Sequence, residues 1–187
     1  MRPVLARLLI LSMSALPLVA AGEPAVAPGL KTIERLGEFA VTCGWVTVVV
    51  GMDYVQRHAF AFAPLAAGLG FALLVANLLY INQFPDAKAD ARAGKRTLVV
   101  RLGPARARWG YVLLVLLAAL WILVNVVAGA LPGVAAVSLL SLLPSAAAAR
   151  TLWAHAARPA LLRPAIKLTI LAAVTHGLLL AAALMFA

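Results

Sequence analysis

The chain has 187 residues, of which 65% are hydrophobic and 12% charged, with a mean hydropathy of +1.02. Soluble domains carry about a quarter charged residues, so this composition excludes an ordinary soluble globular protein and assigns the excess apolar surface to lipid. The net charge of +10 would suit nucleic acid, but the basic residues lie between apolar runs, where the positive-inside bias of membrane proteins puts them, and no nucleic-acid partner is expected.

Six apolar runs follow one another, each near the roughly 20 residues a spanning helix needs: about Val4–Ala21, Gly37–Tyr54, Pro64–Ile81, Trp109–Ala130, Pro132–Ala154 and Pro164–Phe186. They are apolar all round rather than striped. The expected fold class is therefore all-α: a polytopic membrane bundle of about six transmembrane helices, forming one domain over residues 1–187. Residues 1–30 stand apart as an atypical N-terminal helix and loop. Arg2 and Arg7 before a short apolar run and Val19-Ala20-Ala21 resemble a signal peptide, but charge counting opposes cleavage. With the segment at 82–108 placed inside, 13 of the 16 Lys and Arg residues fall on the inner side. That fixes this segment in the cytoplasm, and parity carries residues 22–36 there too. Arg2 and Arg7 then lie on the unexpected side, as they would if the natural N-terminal context were longer.

Isolated polar residues have structural readings. Cys43 is the single cysteine, inside an apolar run, and reads as a small packing residue. Glu38 opens its helix, where an acid complements the helix dipole. Asp53 lies near a membrane interface beside Arg57. Asn77 and Asn125 read as hydrogen-bonding between helices, and His176 as a packed or hydrogen-bonded histidine. The Trp and Tyr residues fall mainly near helix ends, as an interfacial aromatic belt does.

The long polar stretch Tyr80–Gly103 carries the chemistry. Asn82, Asp86 and Asp90 recur every four residues and share one face if the segment is helical. Pro85 suits a first helical turn, or else kinks a helix continuing from Ile81. Gly94 is a natural stop. Two neighbouring carboxylates repel unless a cation compensates them. Mg²⁺, with its preference for hard oxygen ligands and substrate phosphates, is the fitting ion. Lys88, Arg92, Lys95 and Arg96 can take the remaining phosphate charge. The same residues also suit a connector whose acids and bases merely balance.

Read whole, the residues Asn82, Pro85-Asp86, Asp90 and Ala93-Gly94-Lys95-Arg96-Thr97-Leu98-Val99-Val100-Arg101-Leu102-Gly103 resemble the second aspartate-rich motif of the UbiA family of intramembrane prenyltransferases. They are most similar to its 1,4-dihydroxy-2-naphthoate prenyltransferase branch. Leu36-Gly37-Glu38 resembles the opening of an earlier helix in that branch. The resemblance covers about Lys31 to the C-terminus. It implies a bundle matching the last six of nine helices, a polyprenyl diphosphate and an aromatic acceptor as partners, and Mg²⁺ as cofactor in quinone or related lipid biosynthesis. Asp86 and Asp90 become Mg²⁺ ligands and catalytic residues. Asn82, Arg92, Lys95 and Arg96 become diphosphate contacts. The bilayer implied is a bacterial inner membrane.

The departures are specific. The family's first motif, of the form NDxxDxxxD, is absent, Asp86 and Asp90 are the only aspartates four apart, and no Tyr occurs in residues 22–36. The chain alone is expected to lack half of the metal site, which a second chain could supply. The competing expectation is an inactive fragment or membrane scaffold that binds prenyl diphosphate or a partner without turnover. A CDP-alcohol phosphotransferase lacks its longer signature here, and a transporter lacks polar pathway residues.

Overall fold

A computed structural model describes residues 37–187. The apolar run at Val4–Ala21 and the loop at 22–36 lie outside the described residues. The order is α1 (Gly37–Arg57), α2 (Phe62–Arg92), α3 (Leu98–Leu102), α4 (Pro104–Val127), a 3₁₀ segment (Gly133–Ser141) running into α5 (Leu142–His155), a 3₁₀ turn (Pro159–Leu161) and α6 (Arg163–Met185). Five of these stretches are long and apolar enough to cross a membrane, counting Gly133–His155 as one. The chain is a polytopic membrane helix bundle, and an integral membrane protein.

α2 is the central helix and packs on α1, α4 and α6. Its composition explains why. Ala66, Gly68, Gly70, Ala72 and Ala76 are all buried, and small residues let backbones approach closely where lipid supplies no hydrophobic drive between helices. A methyl added at Gly68 would come within 3.0 Å of Val49 on α1, and one at Gly70 within 3.0 Å of Ile122 on α4. The reciprocal small residue is Gly110 on α4, where a methyl would overlap the Tyr80 ring and hydroxyl. The Tyr80 hydroxyl donates to the Ala107 carbonyl at 2.7 Å. Tyr111 and Thr169 share a hydrogen bond of 2.9 Å between α4 and α6. At the opposite end of the bundle, Trp121 Nε1–H donates to the Ala66 carbonyl at 2.9 Å.

The central polar stretch is not a loop. α2 runs unbroken from the apolar span through Pro85 to Arg92, and only residues 93–97 separate it from α3. The continuing-helix alternative at Pro85 is the one adopted, at the cost of one backbone hydrogen bond to the Ile81 carbonyl. The fifth run also differs in form. Its first nine residues are 3₁₀, a helix with three residues per turn, and Ala135, Ser138 and Ser141 line up as its buried stripe against α6.

Several isolated residues depart from their sequence readings. Cys43 is exposed on α1 rather than packed, and α1 has no buried residue at all. Asn125 donates to the Trp121 carbonyl of its own helix at 2.8 Å, so it does not bridge helices. Tyr80 and Tyr111 are fully buried and belong to the core rather than to an aromatic belt. Two others match their readings: Asp53 pairs with Arg57 at 2.6 Å near the end of α1, and His176 is buried, with Nδ1 at 3.4 Å from the Ser141 hydroxyl.

Candidate functional site

The length of α2 positions the site. A hydrocarbon core of about 30 Å takes about 20 helical residues, which Phe62–Ile81 supplies. The remaining turns, Asn82–Arg92, then project about 16 Å beyond it at 1.5 Å per residue. Asn82, Asp86 and Asp90 occur four residues apart on this projection, so they line one face with neighbouring Cβ atoms about 6 Å apart. Asp86 is exposed and makes no ion pair among the described residues. Asn82 donates its Nδ2–H to the Leu78 carbonyl at 2.8 Å, which leaves its Oδ1 free to accept or to ligate.

The basic residues are carried by the turn that ends α2. Ala93 is the helix cap, and Gly94 follows at φ +73°, a left-handed conformation that costs glycine little. The Gly94 N–H donates to Ala91 at 3.2 Å and the Lys95 N–H to Asp90 at 2.8 Å. This is the paired hydrogen bonding of a Schellman stop. It folds Lys95 back beside the aspartate face, with Nζ at 3.8 Å from Asp90 Oδ1. At that distance, and half-exposed, the pair is worth at most about 1 kcal/mol, so Asp90 stays available to a stronger cation. Arg92, Lys95 and Arg96 are all exposed.

Two residues that were not singled out for the site hold this turn in place. The Gln83 side-chain amide donates to the Glu38 carboxylate on α1. Its Oε1 accepts the Val99 N–H at the start of α3, over a long 3.5 Å. One side chain therefore joins α1, α2 and α3. Val99 is itself buried and anchors α3, while Gly103 at φ +73° separates α3 from α4. Glu38 reads in sequence as a helix-dipole residue, and Gln83 has no reading of its own there. The only linear signal was that Gln83 is polar and lies just off the aspartate face.

Among the described residues no three His, Cys, Asp or Glu side chains converge as a metal cluster. What one face of the projection carries is two carboxylates a turn apart, with the Asn82 amide oxygen a turn before Asp86 and the exposed basic pair beyond Asp90. Two carboxylates are the hard ligands that Mg²⁺ takes from protein when phosphates and water complete its shell. The donor chemistry fits Mg²⁺, and Asp86 and Asp90 would hold it, with Asn82 supporting them one turn earlier.

Residues 6–171 match the family described as the UbiA prenyltransferase family. The chain belongs to that family. It is similar to the 1,4-dihydroxy-2-naphthoate octaprenyltransferase of Haemophilus influenzae, 39% identical over 83 residues, which are 44% of this chain and 27% of that protein. The Escherichia coli protein of the same name is 39% identical over 75 residues, 39% of this chain and 24% of that one. The Mycobacterium tuberculosis protein is 40% identical over 76 residues, 40% and 26% of the two chains. The matched stretches span about a quarter of these relatives' lengths. No solved structure matches the chain at a significant level.

Proposed function

We propose that the projecting end of α2 and the turn after it form the Mg²⁺–diphosphate half of a membrane prenyltransferase site. The reaction is transfer of a polyprenyl group from its diphosphate to an aromatic acceptor in quinone biosynthesis, with octaprenyl diphosphate and 1,4-dihydroxy-2-naphthoate as the pair suggested by the relatives' names. The observation that carries this reading is the register of Asn82, Asp86 and Asp90 on one face beyond the apolar span, beside the Lys95–Arg96 turn, in a member of this family.

The roles follow from charge. The allylic C–O bond breaks with its electron pair leaving on the diphosphate, the acceptor's ring carbon captures the cation, and the ring then loses a proton. Mg²⁺, when bound, neutralises charge on the departing diphosphate. Asp86 and Asp90 bind the ion's complex and fix its height above the bilayer. Arg92, Lys95 and Arg96 contact diphosphate oxygens as negative charge develops there. Asn82 supports these contacts from the turn before Asp86. The basic residues clustered at this end support a cytoplasmic orientation for it, and the bilayer we propose is a bacterial inner membrane. Further carboxylates of the kind in the family's first motif would come from outside residues 37–187 or from a second chain.

Membranes bearing the chain together with a source of the facing carboxylates, supplied with Mg²⁺ and the two substrates, should form prenylated product that the chain alone does not. Asp86→Asn and Asp90→Asn should each lower turnover by about 10²–10³-fold, the scale of losing one preorganised electrostatic group. Mn²⁺ binding followed by electron paramagnetic resonance reads the site directly, with or without turnover. Mn²⁺ affinity unchanged by both substitutions would sink the proposal.

A further inference from the structure

A second site lies on another side of α2. α1 and α4 both pack on α2 but make little contact with each other. Between them is a cleft of about 610 Å³, within the roughly 300–1,000 Å³ range of small-ligand sites. Tyr80 forms its floor, and Leu102, Trp109, Leu113 and Leu116 form one wall. The side chains of that wall are about half exposed, from 48% at Leu102 to 62% at Trp109, so the cleft opens sideways into the hydrocarbon.

Its charges lie at one end only. Glu38 and Arg106 are the charged residues lining it, each in the first turn of its helix. Glu38 already accepts the Gln83 amide. Arg106 is exposed and makes no ion pair among the described residues. Arg101, on α3, belongs to the same end of the bundle. Trp109 lies one turn deeper than Arg106, at the level where indoles favour a membrane interface. The cleft therefore reads, from surface to interior, as cation, aromatic ring, then aliphatic groove. That is the order of a lipid's phosphate, glycerol region and chain.

The cleft lies to one side of the aspartate face: Tyr80 is about 120° from Asp86 and about 80° from Asp90 around α2 at roughly 100° per residue, and the Glu38–Gln83 pair stands between the two.

We propose that the α1–α4 cleft binds one anionic phospholipid, with Arg106 meeting the headgroup phosphate and Trp109, Leu113 and Leu116 holding an acyl chain. Charge selects the anionic class, because Arg106 makes no ion pair among the described residues and Arg101 lies at the same end, against the single carboxylate Glu38. An arginine at this depth extends its charge to the interface while its stem stays apolar.

The test is native mass spectrometry of the purified full chain with phosphatidylglycerol or phosphatidylcholine of matched chains. Phosphatidylglycerol should be retained roughly fivefold better, the effect of about one arginine near an anionic surface. Arg106→Gln should bring the two lipids to parity, Arg106→Lys should keep most of the preference, and Arg57→Gln at the far end of α1 should change nothing. Leu113→Trp, which fills the groove, should reduce retention of both lipids. A photoreactive residue at position 113 should label phosphatidylglycerol. Equal retention of the two lipids by the unaltered chain would overturn the proposal. So would labelling of a second copy or of the chain's own first 36 residues, or displacement of the lipid by geranyl diphosphate with Mg²⁺.

Discussion

Replacing Gln83 tests whether the basic turn is held from a distance. Gln83→Ala removes a hydrogen bond to a carboxylate, a class worth about 1.5–3 kcal/mol, and a second bond to Val99 that is too long to reach the usual ~1 kcal/mol. Both groups are half-buried and water recovers part of the loss, so the expected destabilisation is about 2 kcal/mol. Gln83→Glu should be worse although its shape is nearly the same. It sets carboxylate against carboxylate, a repulsion of about 4 kcal/mol at 4 Å and an effective dielectric near 20. The double substitution Glu38→Gln/Gln83→Glu restores a donor and an acceptor in exchanged positions and should regain most of that loss. Thermal unfolding in detergent measures the stability side, and Mn²⁺ affinity at Asp86 and Asp90 measures the site. A strong positive coupling in this double-mutant cycle is the expected result. If Gln83→Glu behaves like the unaltered chain, or the exchanged pair is no better than Gln83→Glu alone, the tether does not exist.

Three further substitutions follow from the packing. Gly110→Ala puts a methyl against the Tyr80 ring, 2.6 Å from Cζ, and should destabilise by about 1–3 kcal/mol, seen as a lowered Tm with loss of the Tyr80–Ala107 bond. Gly94→Ala must hold an L side chain at φ +73° and should cost about 1–2 kcal/mol, while Gly94→Asn should cost less; Mn²⁺ affinity should fall in the same order as the turn loosens. Tyr111→Phe removes one buried hydroxyl from the pair with Thr169, which keeps its own bond to the Ala165 carbonyl. It should cost about 1 kcal/mol, measured by Tm in the same detergent.

The spans and the aspartate register were legible because each rests on a local property. Apolar runs of spanning length have one outcome in lipid, and the four-residue spacing of Asn82, Asp86 and Asp90 needs only a helix to become a face. Gly94 as a stop is equally local. The continuation of α2 through Pro85 was open in sequence because the penalty is local while the gain is not. Buried Phe84 and Ile81, with the Gln83 contacts to α1 and α3, hold the helix past the proline. The pairing of Glu38 with Gln83 was illegible for a similar reason: it joins residues 45 apart, and no periodicity within either segment records it. Tyr80 and Tyr111 were misplaced because an aromatic near a helix end looks interfacial until the neighbouring helix is known to present a glycine or a threonine to it.

α2 couples these two kinds of information. Its small residues fix its rotation against α1 and α4: Gly68 under Val49, Gly70 under Ile122, and Tyr80 against Gly110. Because the helix is continuous to Arg92, the rotation set inside the membrane is carried to Asp86 and Asp90 outside it. A break at Pro85 would have uncoupled the two. With the break absent, the direction of the carboxylates depends on packing two to six turns below them, and Gln83 fixes the adjoining basic turn to the same frame. Substitutions in the glycine contacts should therefore lower Mn²⁺ affinity as well as stability, whereas equally destabilising changes at the α5–α6 contact should lower stability alone.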